Sequence, residues 1–321
     1  MKTSKKITLI IATALVVCGL IIFFVAAAAL DFDFTKVNSA EYVTNTHTVD
    51  EQFANISIDT DEFDIRFAPS DDGTCKVECR ESDKVYNTVT VKNNTLTVER
   101  HDERSWYERH FGFFVGDMSI TVYLPEREYG NVDLETSVGD VNIPESFTFD
   151  QLIIETDTGN ITADANIADI LSVKTDTGHI GLSGIEVNSM DLDSGTGDIS
   201  VNSANVTDEI KLNTDTGRVM LSNARCHSLT AESSTGDISF SDVVVSGDCY
   251  MESDTGRIEL LGFDAEEIFI ETDTGDVFGT LLTEKVFIAE SDTGDVSVPK
   301  TASGGRCEII SDTGNIEIEI A

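Results

Sequence analysis

One glycine, carried in a T-x-T-G-like unit, recurs at Gly139, Gly159, Gly178, Gly197, Gly217, Gly236, Gly256, Gly275, Gly294 and Gly314, always 19 or 20 residues apart. Ten copies at one period restrict the chain to an array of stacked units. Alignment on the glycine sorts the other positions. Five residues before it stand Leu134, Ile154, Val173, Leu192, Leu212, Ala231, Met251, Ile270, Ala289 and Ile309. Two residues after it the column holds only Val or Ile, from Val141 to Ile316. Apolar residues also recur seven before and four after, with polar residues between. Each copy therefore reads as two short strands of period two joined at D-T-G-D. A looser third segment links to the next copy through Ile167, Ile185, Val243, Phe263 and Leu282.

Two architectures fit this pattern. D-T-G-D closes a hairpin in an antiparallel meander or barrel, or it turns the corner of a coil whose successors stack in parallel. Stacking places each residue about 4.8 Å above its counterpart, which explains why every column keeps its chemistry. A hairpin gives no reason for ten β-branched residues in one column. The expected fold is all-β: a parallel β-solenoid of about ten coils, residues 131–321, behind an N-terminal β cap and a single transmembrane helix. A lone coil cannot offset the entropy of ordering its backbone, so stability belongs to the stack.

At the corner, glycine is expected to supply positive φ. Three residues earlier the column is only Thr or Ser, from Thr136 to Ser311, and is read as hydroxyls tying the turn. Two before and one after the glycine, acids are frequent, yet the first seven copies avoid placing acids at both positions. The eighth and ninth break that rule with Asp273, Asp276, Asp292 and Asp295. Four carboxylates on adjacent coils make a candidate weak Ca²⁺ site, although the G-G-x-G-x-D signature is absent. No other cofactor is expected.

Residues 1–30 differ from the rest. Lys2, Lys5 and Lys6 precede the uncharged run Ile7–Leu30, which spans roughly 36 Å as a helix. An uncleaved anchor with the body outside the cytoplasm is expected from the flanking charge; Ala27 and Ala29 leave a cleaved signal peptide as the competing reading. Residues 31–40 are the linker and 41–130 the cap. In the cap, Ile56–Phe67 reads as a worn coil with Phe63 in the glycine place, and Asn93-Asn94 as a hairpin turn. The segment 100–116 carries Trp106, Tyr107, Phe111, Phe113 and Phe114 among mixed charges, a candidate partner-binding or membrane-resting loop. The closing N-I-E-I-E-I-A reads as a charged terminal strand that blunts the far end of the rod.

The net charge is −38, from 59 acidic and 21 basic side chains, which excludes a nucleic-acid partner. The six cysteines show no zinc spacing and no disulfide framework; Cys249 and Cys307 fall on apolar columns, as buried thiols would. Five histidines occur, none in a catalytic or metal motif, so no catalytic residue is assigned.

The recurring E-T-D-T-G-D and E-S-D-T-G-D units behind one N-terminal apolar segment resemble the DUF4097 family of β-strand repeat proteins, labelled "putative adhesin". The resemblance covers residues 40–321 and implies a surface β-solenoid with no catalytic residues to carry over. Two roles follow as expectations. One is a membrane-anchored extracellular binding module for cations, basic peptides or cationic cell-wall components. The other is an accessory of an envelope-stress system that contacts another envelope protein.

Overall fold

The computed structural model describes residues 3–29, 42–106, 109 and 117–321. Two sheets, of fourteen and thirteen strands, face each other across one apolar core. A lap of chain runs up one sheet, turns at the glycine, and runs along the other. In the Gly217 lap these strands are Glu209–Thr216 and Val219–Cys226. Consecutive laps pair in parallel and in register: Leu192 lies beside Leu212, and Leu212 beside Ala231. Val201 likewise lies beside Leu221, and Leu221 beside Phe240. The stacked-coil reading therefore holds. The four apolar columns form the core, with Leu192, Ile210, Val219 and Phe240 all essentially inaccessible. Thirteen strands at about 4.8 Å make a rod of about 60 Å.

The third segment is less loose than its sequence reads. It continues the second strand through a kink six residues after the glycine, where Gly184, Ser203, Asn223, Asp242 and Gly262 all take φ between 53° and 69°. The kink turns Ile185, Ala204, Ala224, Val243 and Phe263 inward. Gly, Asn and Asp tolerate this left-handed backbone, which explains most of the column. Leu282, expected as an anchor, is exposed, and Leu281 is buried instead.

Both ends depart from chain order. The strands Asn55–Thr60 and Asp64–Pro69 form the lap directly beneath the Gly139 lap. Phe63 does occupy the glycine place: a Cβ on Gly139 would lie 2.1 Å from its carbonyl oxygen. The next lap outward is Thr95–Asp102 with Ser119–Leu124, also parallel. Beyond it, Cys75–Ser82 and Val85–Lys92 run antiparallel, and Tyr42–Val49 forms the outermost strand. Asn93 and Asn94, both at positive φ, close the hairpin Val85–Asp102 as expected.

At the other end the lap Gly305–Thr313 and Ile316–Ile320 inserts between the Gly275 lap and the Gly294 lap. The N-I-E-I-E-I strand is thus the penultimate rung. The outermost rung is Lys285–Thr293 with Val296–Ser297.

Thr3–Ala29 is one helix. Among the described residues, no helix is long and apolar enough to cross a membrane. Cys75, Cys79, Cys226, Cys249 and Cys307 are free and buried, and burial pushes every one of these thiols up, to about 12 for Cys226 and Cys307.

Candidate binding surface

The corner is built from three columns. A Cβ on Gly178 would sit 1.9 Å from the Gly159 carbonyl oxygen, and one on Gly236 would sit 1.8 Å from that of Gly217. The glycine is needed because corners stack backbone on backbone. Positive φ is secondary: of the ten corner glycines, only Gly197, Gly217 and Gly236 have φ in the range 152–157°. Behind it, buried hydroxyls donate to the glycine carbonyl of the preceding lap from Thr175 to Ser253, whereas those of Thr156 and Thr272 make no hydrogen bond. Thr214 Oγ1 lies 3.0 Å from Gly197 O, and Ser233 Oγ lies 3.1 Å from Gly217 O.

The column after the glycine is a ladder of acceptors. Asp140 Oδ1 accepts the Asn160 amide at 2.8 Å, Asn160 Oδ1 that of His179, and Asp198 Oδ1 that of Arg218. Its charges alternate as Asp198, Arg218, Asp237, Arg257 and Asp276, with Arg218–Asp198 ion-paired at 2.7 Å and Arg257–Asp237 at 3.4 Å. The Arg218 hydrogen bond holds the Asp198 carboxyl below its ordinary value. Among the described residues Asp140, Asp276 and Asp295 have no ion pair, but from Asp198 to Arg257 this column is neutralised within the fold.

The column two before the glycine is not. Asp157, Asp176, Asp215, Asp254, Asp273, Asp312 and Asp292 are all exposed, and among the described residues none has an ion pair. Because the last two laps exchange places, Asp254, Asp273, Asp312 and Asp292 stand on four successive rungs. Like charges at about 4.8 Å repel by roughly 1 kcal/mol per neighbour in water.

The exchange also takes apart the expected calcium cluster. Asp276 and Asp295 are separated by Asn315, whose amide donates to Asp276 Oδ1 at 2.8 Å and whose Oδ1 accepts the Asp295 amide at 2.9 Å. Asp273 and Asp292 are likewise separated by the Asp312 rung. The four carboxylates are two rungs apart in pairs. Among the described residues, no group of three or more His, Cys, Asp or Glu is placed to hold a metal ion.

A second outward column, four before the glycine, stacks Asp59, Glu135 and Glu155 beside a polar depression that also takes in Asp157, Asp176 and Lys174. The Asp59 charge, foremost, raises the Glu135 carboxyl. A raised carboxyl gives the fold its full stability below the ordinary Glu value and loses it as pH climbs through the raised one. Glu135→Gln is therefore expected to lift the melting temperature by about 1–2 °C at pH 7 and leave it unchanged near pH 3. A thermal melt at each pH checks this, and equal effects at both would refute stacking repulsion.

The segment 103–118 joins Thr95–Asp102 to Ser119–Leu124. Of the expected aromatic residues, Tyr107, Phe111, Phe113 and Phe114 lie outside the described residues. Trp106 is 67 % exposed at the start of the segment. The base of the segment is clamped. Arg104, buried, donates to both carboxylate oxygens of Asp102 at 2.9 Å and to Glu62 at 3.2–3.3 Å. Arg109 Nε adds a bond to the Arg104 carbonyl. Arg104 does not stand out in the sequence reading, although an Asp-x-Arg pair at a strand end is available as a signal. His227 Nδ1 lies 3.1 Å from Ser246 Oγ, and among the described residues no carboxylate bonds that ring.

The family model for Toastrack DUF4097 matches residues 53–243 and 205–321. No curated protein matches the chain. Among solved structures, a "putative adhesin" from Parabacteroides merdae ATCC 43184 aligns at 12% identity with a TM-score of 0.48, covering 88% of this chain and 98% of its own. Another from Parabacteroides distasonis ATCC 8503 aligns at 13% and 0.48, covering 87% and 98%. A third, from Bacteroides fragilis NCTC 9343, aligns at 14% and 0.42, covering 87% and 97%.

Proposed function

Because the chain belongs to the Toastrack DUF4097 family, we propose that it is a non-catalytic, adhesin-like binding module, anchored in the cell membrane, that presents an acidic ridge to cationic surface components outside the cell. The carrying observation is the exposed aspartate column, which the fold leaves without counter-charge while it pairs Asp198 and Asp237 of the adjacent column with Arg218 and Arg257. An array of carboxylates at strand spacing suits a polyvalent, extended cation better than a single ion. A repeated surface also lacks the broken symmetry of a catalytic centre. The anchor rests on the sequence: three lysines precede an uncharged run from Ile7 to Leu30, and the acidic body follows it.

The test uses the full chain in nanodiscs and polylysine as the cationic probe. Asp254→Asn/Asp273→Asn/Asp312→Asn/Asp292→Asn is expected to weaken binding at least tenfold and to flatten its salt dependence. Unchanged affinity would remove the ridge from the reading. If Trp106→Ala instead abolishes co-purification with one membrane protein, the envelope-regulatory role replaces it.

A further inference from the structure

The two ends of the rod are finished differently. At the N-terminal end, antiparallel strands Cys75–Ser82 and Val85–Lys92 extend the two sheets past the last parallel lap, and Tyr42–Val49 adds a further antiparallel strand outside Cys75–Ser82. At the other end the final lap, Lys285–Thr293 with Val296–Ser297, is a parallel rung like any other; among the described residues no strand lies beyond it, and the connection 298–304 touches it only through Thr301 on the Lys285 carbonyl, Ser303 on Glu284 and Val298 on the core. Its core positions show the consequence. Val296 is 43 % exposed, whereas its column mates Val277 and Ile316 are sealed. Phe287 and Ala289 are only partly buried, whereas Cys307 and Ile309 beside them are sealed. Val286 and Ile288 add apolar side chains on the outer face, 39 % and 49 % exposed. Charged residues usually guard such an edge. Here Lys285 is turned inward onto Asp264 at 2.7 Å and guards nothing.

We infer that this open lap is an interface for a second copy of the chain, met end to end, with Lys285–Thr293 pairing antiparallel to its counterpart. Three observations select that occupant. The end presents two strand edges at once, one on each sheet, with apolar core between them. A single extended peptide covers one edge and leaves the core open, whereas a second identical end matches both through a two-fold axis perpendicular to the rod. The described residues Trp106 and Asp117, which flank the segment 107–116, belong to the opposite end, on the order of 50 Å away, beyond the reach of ten residues that must return. The area also fits. A nine-residue strand is about 30 Å long and the two sheets with their side chains span about 20 Å, so pairing buries about 1,200 Å² in total, at the lower limit of a specific interface. The dimer is therefore reversible. This inference goes beyond the ridge and does not depend on it; where the helix anchors the chain, the pairing ends point away from the membrane.

The test is sedimentation of the full chain in detergent, with Cys18→Ser to remove the exposed thiol. A monomer–dimer equilibrium is expected with half-association on the order of 10 µM. Ile288→Lys and Val296→Lys are each expected to weaken it at least tenfold with unchanged melting temperature. Val43→Lys, on the outermost strand of the opposite end, is expected to leave it unaltered. Ile288→Cys in the Cys18→Ser background is expected to give an oxidised dimer seen in negative stain as a rod of twice the length. A monomer at all accessible concentrations, a dimer indifferent to Ile288→Lys, or cross-linked rods lying side by side would each overturn the inference.

Discussion

Gly178→Ala is expected to be among the most damaging single substitutions in this chain, costing at least about 4–5 kcal/mol and lowering the melting temperature by more than about 10 °C. The added Cβ would lie 1.9 Å from the Gly159 oxygen and 2.6 Å from its carbon, both backbone atoms with nowhere to move. Relief requires neighbouring corners to part, which strains the Gly159 amide bond to Thr177 O and the Gly178 amide bond to Thr196 O. In a stack that depends on nearest neighbours, a fault in the middle divides the array. The cause is separable from backbone conformation. The φ of Gly178 lies outside the left-handed range, whereas Gly73, at φ +74°, has nothing within 4 Å of the place a Cβ would take. Gly73→Ala is expected to cost about 1 kcal/mol. Urea titrations of the two variants decide the matter. Equal losses would mean that φ, not the approach of one corner to the next, selects the glycine. Gly294→Ala, on the outermost rung, should fray one lap and leave the main transition nearly intact.

The parts of this fold that repeat are legible in the sequence, and the parts that break the repeat are not. The β-branched column from Val141 to Ile316, the hydroxyl column and Phe63 in the glycine place each follow from vertical registry, because like residues pack on like. The kink is present in the sequence as Gly184, Ser203, Asn223, Asp242 and Gly262, every one small or polar, but it reads as slack because the apolar anchors around it drift by one residue. The lap Thr95–Asp102 and Ser119–Leu124 is hidden because the long segment 103–118 joins its two strands. The exchange of the last two laps is illegible for a deeper reason. Nearly identical rungs stack on one another in any order, and strand propensity is indifferent to which comes last. The trace of a preference lies in one side chain: Asn315 between Asp276 and Asp295 spares two carboxylates from stacking directly. The candidate calcium site fails at this point, since it assumes that rungs follow chain order. The acidic ridge survives because the Asp312 rung supplies the same residue in the same place.

Acid should loosen the base of the 103–118 segment before it loosens the stack. Burial pulls the Asp102 carboxyl upward, but the hydrogen bonds and charge of Arg104, with the charge of Arg100, outweigh burial and hold it at about 2, below its ordinary 3.8. Arg104 is pushed up in turn, first by its hydrogen bond to Asp102. A depressed carboxyl contributes stability that is full above the unfolded value and lost as pH falls through the folded one. The window is therefore pH 4 down to 2. The distance from 3.8 to about 2 corresponds to about 2 kcal/mol at 1.36 kcal/mol per pH unit. The Asp102 side chain is only 10 % exposed, so solvent screening takes little from that figure. The wild type should lose about 2 kcal/mol more than Asp102→Asn between pH 4 and pH 2, read from urea midpoints. Glu135 works in the opposite sense, so the difference between the two chains, rather than the slope of either, carries the information. Arg104→Met should cost about 3–5 kcal/mol at pH 7, since it leaves Asp102 without its main partner and frees Glu62. Parallel pH profiles for wild type and Asp102→Asn would mean that the clamp is not formed in solution. The segment bearing Trp106 would then hang from the rod without a fixed orientation, and any partner would have to bear the entropy of ordering it.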